Sequence, residues 1–572
     1  MPWRSLVSEV PDMSSHNGFD SDMIETLGPE LTVFVGLLLI MIVPNLGNGM
    51  FRIPGTSIRL PWLFGGTRFK AVASPRLPGL LAVLTMALAL FQVIWYLLDA
   101  APADGQDIIA GGTLIFKVNM FSRIFEAIFF AALLLAAIAS LDRLPIGPQK
   151  SDDIDVLFNN RRQADFYILM LTSALGMSVV ALAQDLFVLF VGLELASFST
   201  YVLVAFHKES RAGSEGGAKY FIVGSVASAV GLYGLSMLYL WAGSLQFDAL
   251  ATTWAEKGAT SLSMMALGFV LVGFAFKISA APFHFAAPDA YSGANSPVAG
   301  VLATASKAMG MLGLMRVLLI ITVPDATADG SAVWIGLLGV LAAVTMTWGN
   351  IAALGSENPK RMLAYSSVAH AGYMLAALTA IGAWNWGLVD NAGDVMDVVV
   401  AALLFHMFVL VFFKLGAFLV LGVLEMEGGA SRLSSLAGLG KREPLLAVAM
   451  FLFMISLAGV PPMAGFLSKL LVIMGIVEVA TGTGSLSSIG DAHWVWWLAL
   501  LMVINSAISM FYYLRIGVVM YFHEPEEGRR GPLASGASIR VAIALCAIGT
   551  VAFGLVGGEL IDLCRDAAES LR

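Results

Sequence analysis

Six charged residues lie inside stretches of sequence that are otherwise apolar enough to lie in lipid. They are Glu194, Lys219, Lys277, Lys307, Lys414 and Lys469. A charge at the centre of a bilayer costs at least ~2.5–3.5 kcal/mol on insertion scales. Charged residues at that depth usually face the interior of the helix bundle and mark a proton or ion pathway. We therefore expect these six side chains to face one another across the protein interior and to move charge.

Glu194 and Lys219 are the first candidate pair. They lie in consecutive apolar stretches joined by a short loop, so we expect their helices to be antiparallel neighbours. A Glu–Lys ion pair would lower the cost of burying both charges. The alternative is a salt bridge that only fixes packing, although small residues already suffice for helix packing in lipid.

Lys277 and Lys307 are the second candidate pair, and both lie too deep for their side chains to reach the membrane surface easily. Desolvation disfavours the charged form of a buried lysine, so such a residue can load and release a proton near neutral pH. Lys469 follows as a candidate terminal proton carrier. The alternative for each lysine is a purely structural hydrogen bond to backbone carbonyls that a helix break has freed.

Three histidines are candidates for relay groups between these lysines, because imidazole both accepts and donates protons near neutral pH. They are His284, His370 and His406. Lys414 follows His406 by eight residues, roughly on the same helix face. The alternative for each histidine is a core residue with satisfied hydrogen bonds. Arg123 and Glu126 are spaced i, i+3 and are expected to form a structural pair instead.

The composition predicts an all-α polytopic membrane protein. The 572 residues are 58% hydrophobic and 13% charged, with a mean hydropathy of +0.83, whereas soluble domains carry roughly 25% charged residues. A net charge of −8 indicates no nucleic-acid surface. Two cysteines are too few to ligate an iron–sulfur cluster within this chain.

Fourteen spans are expected, near 29–46, 78–98, 118–141, 164–182, 184–206, 216–242, 263–286, 296–321, 332–355, 361–383, 396–424, 445–480, 493–521 and 541–560.

The charges of the predicted loops indicate how the chain is oriented. Loops after odd-numbered spans hold nineteen Lys and Arg residues, and loops after even-numbered spans hold two. The positive-inside rule then places the odd loops in the cytoplasm and both termini on the outer side. We expect a multi-pass protein of a bacterial inner membrane.

Two spans, the seventh and the twelfth, contain residues that interrupt helices. Pro282 and Pro288 fall in the seventh, and Pro461 and Pro462 in the twelfth. Broken helices at matching positions of two halves are typical of inverted repeats. We therefore predict an N-terminal extension and helices 1–3 (1–160), a first five-helix repeat (161–322), an inverted second repeat (323–522), and helix 14 with a tail (523–572).

Several motifs resemble the N-type antiporter-like subunits of proton-pumping NADH:quinone oxidoreductase, respiratory complex I. The resemblance extends over all fourteen predicted spans. The motifs are LELASFSTYVLVAF, GGAKYFIVGSVAS, FKISAAPFHFAAPDAY, LATASKA, NPKRMLAYSSVAHAGY and LAGVPPMAGFLSK. The resemblance implies two inverted five-helix bundles, a coupling pair (Glu194 and Lys219), a central relay (Lys277 and Lys307) and a terminal site (Lys469).

The resemblance also implies partners and a reaction. The chain would be a subunit of a proton-translocating oxidoreductase, with no redox centre of its own, and quinone reduction elsewhere would drive proton movement. FMN, iron–sulfur clusters and quinone would be held by partner subunits. The expected partners are the M-type antiporter-like subunit, small K- and J-type subunits, a peripheral redox arm and the lipid bilayer.

Related subunit types and functions remain as alternatives. M-type subunits usually have a glutamate where Lys469 stands. L-type subunits carry a long lateral helix after the antiporter-like core, whereas this sequence stops at Arg572. Both points favour the N type. Lys414 departs from the pattern, where a neutral polar residue is expected. The alternative functions are a multi-subunit monovalent cation/proton antiporter without redox coupling, a non-pumping spacer, and a membrane-arm subunit of a membrane-bound hydrogenase.

Overall fold

The computed structural model shows a chain built almost entirely of helices. It describes residues 25–42, 50–52, 59–61, 76–100, 105–110, 113–142, 154–207, 210–322, 334–383, 392–426, 432–481, 493–525, 533 and 536–571. The predicted N-terminal extension (1–24) and most of the first predicted loop lie outside the described residues.

Among the described residues of the first part of the chain there are three helices and two short β-hairpins. The helices are α1 (Gly28–Ile42), α2 (Leu77–Trp95, continued by a π-helical turn at Tyr96–Ala100) and α3 (Met120–Ser140). The antiparallel hairpins are β1 (Met50–Arg52) with β2 (Arg59–Pro61), and β3 (Gln106–Ala110) with β4 (Thr113–Val118). Nearly every residue of α3 is buried, so this helix runs through the core.

The remaining helices carry every predicted site residue except His284, which lies between two of them. The middle of the chain contains α4 (Ile154–Leu182), α5 (Leu186–Val204), α6 (Arg211–Ala242), α7 (Phe247–Lys257), α8 (Ser261–Ile278), α9 (Ala286–Gly293), α10 (Ser296–Ala303) and α11 (Ala305–Met315, with a π-helical continuation at Arg316–Thr322). Then follow α12 (Ile335–Leu354), α13 (Pro359–Gly382), α14 (Ala392–Leu410), a π-helical segment (Val411–Leu415), α15 (Gly416–Glu425), a 3₁₀ turn (Leu433–Leu436) and α16 (Leu439–Arg442). The last helices are α17 (Pro444–Ala458), α18 (Ala464–Thr481), α19 (Trp496–Phe522), α20 (Ala537–Leu555) and α21 (Gly558–Glu569).

The predicted membrane spans agree with these helices. Among the described residues, twelve helices are long and apolar enough to cross a membrane, and each of the fourteen predicted spans coincides with a helix. The two spans outside the set of twelve are α1, which has 15 residues, and α13, which has 24 residues but a more polar sequence. The chain is therefore a polytopic all-α membrane protein.

Both predicted helix breaks are present and have the same local geometry. The residue that follows the last residue of α8, Ser279, has a left-handed backbone conformation, and so does Gly459, which follows α17. In both cases the next N–H reaches back five residues, from Ala280 to the Ala275 carbonyl and from Val460 to the Ile455 carbonyl. Cis peptide bonds precede Pro282 and Pro462. The two five-residue N–H bonds, each following a left-handed residue, are those of a Schellman C-cap. Two breaks with the same geometry fit the predicted pair of repeats, whose boundaries stay a prediction.

Glycines allow close packing between α12 and α13. A Cβ atom on Gly349 would lie 2.6 Å from the Ala369 backbone nitrogen, and one on Gly372 would lie 2.4 Å from that of Met346. The two backbones therefore touch where any side chain would separate them. This contact fixes α13, which carries His370.

We expect Gly349→Ala to destabilise the folded chain, because its new methyl group must push two helix backbones apart at a cost of about 1–3 kcal/mol. The matched control is Gly336→Ala in the same helix, where nothing lies within 4 Å of the added Cβ. The control should be neutral or slightly stabilising, since alanine is the better helix former. The thermal midpoint of the detergent-solubilised chain tests this, and equal midpoints for the two variants would contradict it.

The predicted Arg123–Glu126 pair is formed and includes a third residue. The guanidinium of Arg123 donates to Glu126, to Glu30 at 2.9 Å and to the Thr26 carbonyl, and it lies 5.3 Å from the centre of the Tyr96 ring. These contacts join α1, α2 and α3 at one end of the bundle. They lie on elements separate from those that carry the row of lysines.

Candidate functional site

Lys277 lies in the last turn of α8, immediately before the first helix break. It is 4% exposed, and its Nζ donates a hydrogen bond of 2.8 Å to the Ser197 hydroxyl of α5. Its ammonium also lies 5.9 Å from the centre of the Tyr201 ring. The partial negative charge at the C-terminal end of α8 favours a cation at this position.

Glu194 lies one helical turn before Ser197, on the helix that faces Lys277. Its Oε1 accepts a hydrogen bond of 2.5 Å from the Ser228 hydroxyl of α6. Residues three apart lie on the same face of a helix, so Glu194 and Ser197 form one polar face of α5. This face brings a carboxylate close to the hydroxyl that holds Lys277.

The predicted ion pair between Glu194 and Lys219 is not formed in the structure, although their helices are neighbours as expected. The Lys219 Nζ instead contacts Glu215 Oε1 at 2.6 Å and Asp289 Oδ2 at 2.8 Å, and 46% of its side chain is exposed. The physical reason is the register of the two helices. Glu194 lies level with Ser228, and Ser228 follows Lys219 by nine positions, which span roughly 13 Å along a helix.

Lys307 lies in α11, beside Lys277. It is 1% exposed, and its Nζ donates to the Ser367 carbonyl of α13. Gly310, one turn further along α11, faces Lys277, since a Cβ placed there would lie 3.0 Å from the Cβ and Cγ of that lysine. The stem of Lys277 therefore packs on the helix that carries Lys307.

Lys414 lies in a π-helical segment, and it is fully buried. Its Nζ donates to the Ser366 hydroxyl, which also contacts the Tyr513 hydroxyl of α19. Ser366 precedes the residue whose carbonyl binds Lys307, so two lysines from different segments meet at one turn of α13. Short π-helical segments within helices are frequent at functional sites.

His370 and His406 stack on each other and join α13 to α14. Their rings lie 5.3 Å apart at an angle of 20°, and His370 Nδ1 is 3.2 Å from His406 Nε2. The other nitrogen of His406, Nδ1, is 3.0 Å from the Ser468 hydroxyl of α18. His370 is also one turn after Ser366, so the histidine pair continues the polar face that contacts Lys414.

Lys469 ends the row, next to Ser468 and beside the second helix break. Its Nζ donates to the Leu457 carbonyl at 2.8 Å and to the Ala458 carbonyl at 3.4 Å. It lies 5.6 Å from the centre of the Tyr373 ring. The break at the end of α17 thus supplies the carbonyls that hold this lysine.

His284 lies at the first break but is not hydrogen-bonded into the row. Its ring contacts Phe285 and Trp348, with centroid distances of 4.9 and 6.1 Å, and its Nδ1 has no hydrogen-bond partner among the described residues. The structure therefore brings two of the three predicted histidines together and leaves the third at the first helix break.

The groups between the lysines are suited to proton transfer. Hydroxyl and imidazole groups both donate and accept hydrogen bonds. Within the part of the chain that the structure describes, Lys277, Lys307, Lys414 and Lys469 form no salt bridge with a carboxylate. Lys277 and Lys414 donate to serine hydroxyls, which can pass on a proton, whereas Lys307 and Lys469 donate to backbone carbonyls.

Sequence reasoning missed part of this arrangement. Ser197 accepts a hydrogen bond from Lys277, Ser228 donates one to Glu194, Ser468 contacts His406, and Asp289 binds Lys219. The available signal was a serine one helical turn from Glu194 and another directly before a buried lysine. Serine is common in membrane helices for packing reasons, so this signal alone does not distinguish a linking hydroxyl from a packing residue.

The chain is similar to known proteins over most of its length. Residues 183–493 match the family described as NADH:quinone oxidoreductase/Mrp antiporter, TM. NADH-quinone oxidoreductase subunit N 2 of Roseiflexus castenholzii is 37% identical over 78% of this chain and 83% of its own length. Subunit N of Trichlorobacter lovleyi is 37% identical over 71% of this chain and 77% of its own.

Solved structures agree with this assignment. A chain of respiratory complex I from Thermus thermophilus is 27% identical, with a TM-score of 0.67, and the match covers 94% of this chain and 98% of that one. A chain of the Mrp complex from Dietzia sp. has a TM-score of 0.72 and 21% identity over 95% of this chain and 97% of that one, which shows a shared fold. The high identity and coverage lie with one group of proteins, and the chain belongs to the family of NADH-quinone oxidoreductase subunit N.

Proposed function

We propose that this chain is a proton-translocating subunit in the membrane arm of a complex I-type NADH:quinone oxidoreductase. The observation that carries the proposal is the row of buried lysines without carboxylate partners, with serine hydroxyls and a stacked histidine pair beside it. Such a row is costly in an apolar interior unless it moves charge. The family of the chain agrees with this function.

The proton would pass along the row by changes in local charge. When Lys219 approaches or leaves Glu194, the field at Lys277 changes, and like-charge repulsion passes the change to Lys307 and then towards Lys469. The serines and histidines between them provide donors and acceptors for each transfer. The order of the steps follows the positions of the groups, and coupling measurements are needed to test it.

The driving force would come from redox chemistry in partner subunits. Quinone reduction there, with FMN and iron–sulfur clusters as electron carriers, would supply the free energy when the complex is assembled. M-type and small K- and J-type subunits and a peripheral arm are the proposed partners. We propose that the chain lies in a bacterial inner membrane with both termini on the outer side. The reason is that lysines and arginines are concentrated in the loops after odd-numbered spans.

The alternative is a subunit of a cation/proton antiporter without redox coupling. The Mrp complex chain supports it only at the level of the fold, because the identity is 21%. Sequence relatives at 37% identity are named as NADH-quinone oxidoreductase subunits. The redox-coupled function is therefore the better supported of the two.

Purification of the tagged chain in mild detergent tests this choice. We expect flavin- and iron–sulfur-containing subunits to co-purify, and the preparation to catalyse NADH-dependent quinone reduction. A set of membrane subunits alone, which exchanges cations for protons in vesicles, would establish the antiporter instead.

Lys414→Met tests whether the additional buried lysine acts in the row. We expect proton pumping to fall about threefold or more. This is a smaller loss than the ~100-fold contribution of an essential proton-transfer group. The Ser366 hydroxyl would lose its ammonium donor but keep Tyr513. Pumping is measured from the proton gradient formed by inverted membrane vesicles supplied with NADH.

Cys546→Ser is the control for Lys414→Met, since it alters a buried side chain of α20, a helix that packs on the segment carrying Lys414, without removing a charge. Its effect on pumping should be small. Equal pumping by the unaltered protein and Lys414→Met would show that Lys414 is a packing residue.

A further inference from the structure

One carboxylate, that of Asp289, joins three helices at the start of α6. Its Oδ2 lies 2.8 Å from the Lys219 Nζ, and its Oδ1 lies 3.0 Å from an Arg361 nitrogen. Lys219 belongs to α6, Asp289 to α9 and Arg361 to α13. Asp289 therefore contacts one basic residue from each of the two predicted repeats.

The element that carries Asp289 is short and bounded by two interruptions. α9 has eight residues, and it lies between the break after α8 and the turn at Ala294 and Asn295. It packs backbone to backbone on α6, since a Cβ on Gly216 would lie 2.5 Å from the Asp289 carbonyl and one on Gly293 would lie 2.3 Å from the Ala212 carbonyl. The position of Asp289 relative to Lys219 is thus set by main-chain contacts.

The two carboxylates that bind Lys219 act differently. Glu215 lies one turn earlier on the same helix, so it moves with Lys219 and cannot hold it against another element. Asp289 lies on a separate element and can. Both draw the ammonium towards the start of α6, away from Ser228 and Glu194.

A second ion pair lies next to this one. Lys360, adjacent to Arg361, contacts Glu425 of α15 at 2.5 Å and also donates to the Ala294 carbonyl just after α9. Both ends of α9 are therefore tied to the first turn of α13. A displacement of α9 would alter the partners of Lys219 and of Arg361 together.

We infer that Asp289 is a positioning residue that holds Lys219 at the start of α6, apart from Glu194, and so sets when the Glu194–Lys219 pair closes. The inference rests on the proposed function and extends it to a residue and an element that the coupling pair does not include. Release of Lys219 from Asp289 would let its ammonium move along α6 towards Glu194. The same release would free Arg361 at the start of the second repeat.

Asp289→Asn in the complete complex tests this inference. Inverted membrane vesicles report both the rate of NADH oxidation and the proton gradient, and their ratio measures protons moved per electron. We expect that ratio to fall about fivefold or more, the low end of couplings between two sites, while assembly persists. Asp289→Glu keeps a carboxylate and should recover most of the ratio.

Two matched controls separate positioning of Lys219 from simple bracing. Glu215→Gln removes the partner on the same helix, and Arg361→Gln removes the tie to α13, but both leave the contact between Asp289 and Lys219. We expect both ratios to stay within about twofold of that of the unaltered complex, because exposed ion pairs contribute little free energy. A ratio for Arg361→Gln as low as that for Asp289→Asn would overturn the inference, since Asp289 would then act only as a brace.

The remaining outcomes are also decisive. If Asp289→Asn does not assemble, Asp289→Asn/Arg361→Gln removes the unpaired guanidinium as well, while Lys219 keeps Glu215. Assembly of this double variant with a lowered ratio supports the inference, whereas failed assembly or a normal ratio overturns it. An unaltered complex that oxidises NADH without forming a gradient would contradict the proposed function itself. If the unaltered complex pumps normally and the Asp289→Asn complex does as well, the inference alone is contradicted.

Discussion

Lys277→Met is expected to abolish most proton translocation while the complex still assembles. Methionine fills nearly the same volume, so packing on Gly310 is kept, but the ammonium that donates to Ser197 at 2.8 Å is lost. This ammonium is the first buried group beyond Glu194, so no proton could pass from that end of the row to Lys307. We expect pumping to fall at least about tenfold, given that a positioned proton-transfer group contributes about 100-fold or more.

The measurement is the proton gradient in inverted membrane vesicles at a matched rate of NADH oxidation, with assembly checked on a native gel. Lys257→Met is the matched control, because Lys257 is an exposed lysine at the end of α7 whose Nζ donates to the Trp241 carbonyl at 3.0 Å. The control should pump normally. Normal pumping by Lys277→Met would rule out an essential role for Lys277.

The second large effect is expected from two substitutions of Lys469. Lys469→Met removes the donor to the Leu457 and Ala458 carbonyls, so it combines a loss of about 1 kcal/mol of stability with the loss of proton transfer. Lys469→Arg keeps a cation with several donors at the break. An arginine side chain does not lose its proton in proteins, so it can hold the carbonyls but cannot release a proton.

Both variants should therefore pump at least about tenfold less than the unaltered complex, the scale of an essential proton-transfer group, and Lys469→Met should also unfold at a lower temperature. Lys441→Arg is the control, since this lysine is 70% exposed and pairs with Glu524 at the surface. Normal pumping by Lys469→Arg would show that a fixed positive charge suffices and that Lys469 does not release protons.

The sequence predicts much of the fold for direct physical reasons. Each predicted span coincides with a helix because the chain must satisfy its backbone hydrogen bonds internally in lipid. The breaks at Pro282 and Pro462 could be predicted because proline lacks an N–H and clashes with the preceding turn. Pro288 does not end a helix, because it lies in the first turn of α9, where its missing N–H has no intrahelical partner.

The partners of the charged residues could not be predicted in the same way. Lys219 and Glu194 lie on neighbouring helices, but the loop between α5 and α6 does not determine how far the helices slide past each other. Close contacts of glycines with neighbouring residues set that register, as Gly217 of α6 does against Ala205 directly after α5. A shift of two turns moves a side chain roughly 11 Å, which is enough to exchange one ion-pair partner for another.

The sequence by itself determined that this chain crosses a membrane many times, where two of its helices break, and that four of the six charged residues in its apolar stretches are buried, because all three follow from local hydropathy and backbone chemistry. Only the tertiary structure decided that Ser366 and Ser367 bring Lys414 and Lys307 to one turn of α13, that the histidines of α13 and α14 stack, and that Asp289 binds Lys219. These contacts join residues far apart in the chain. Their geometry depends on helix register and packing, which no local pattern of residues specifies.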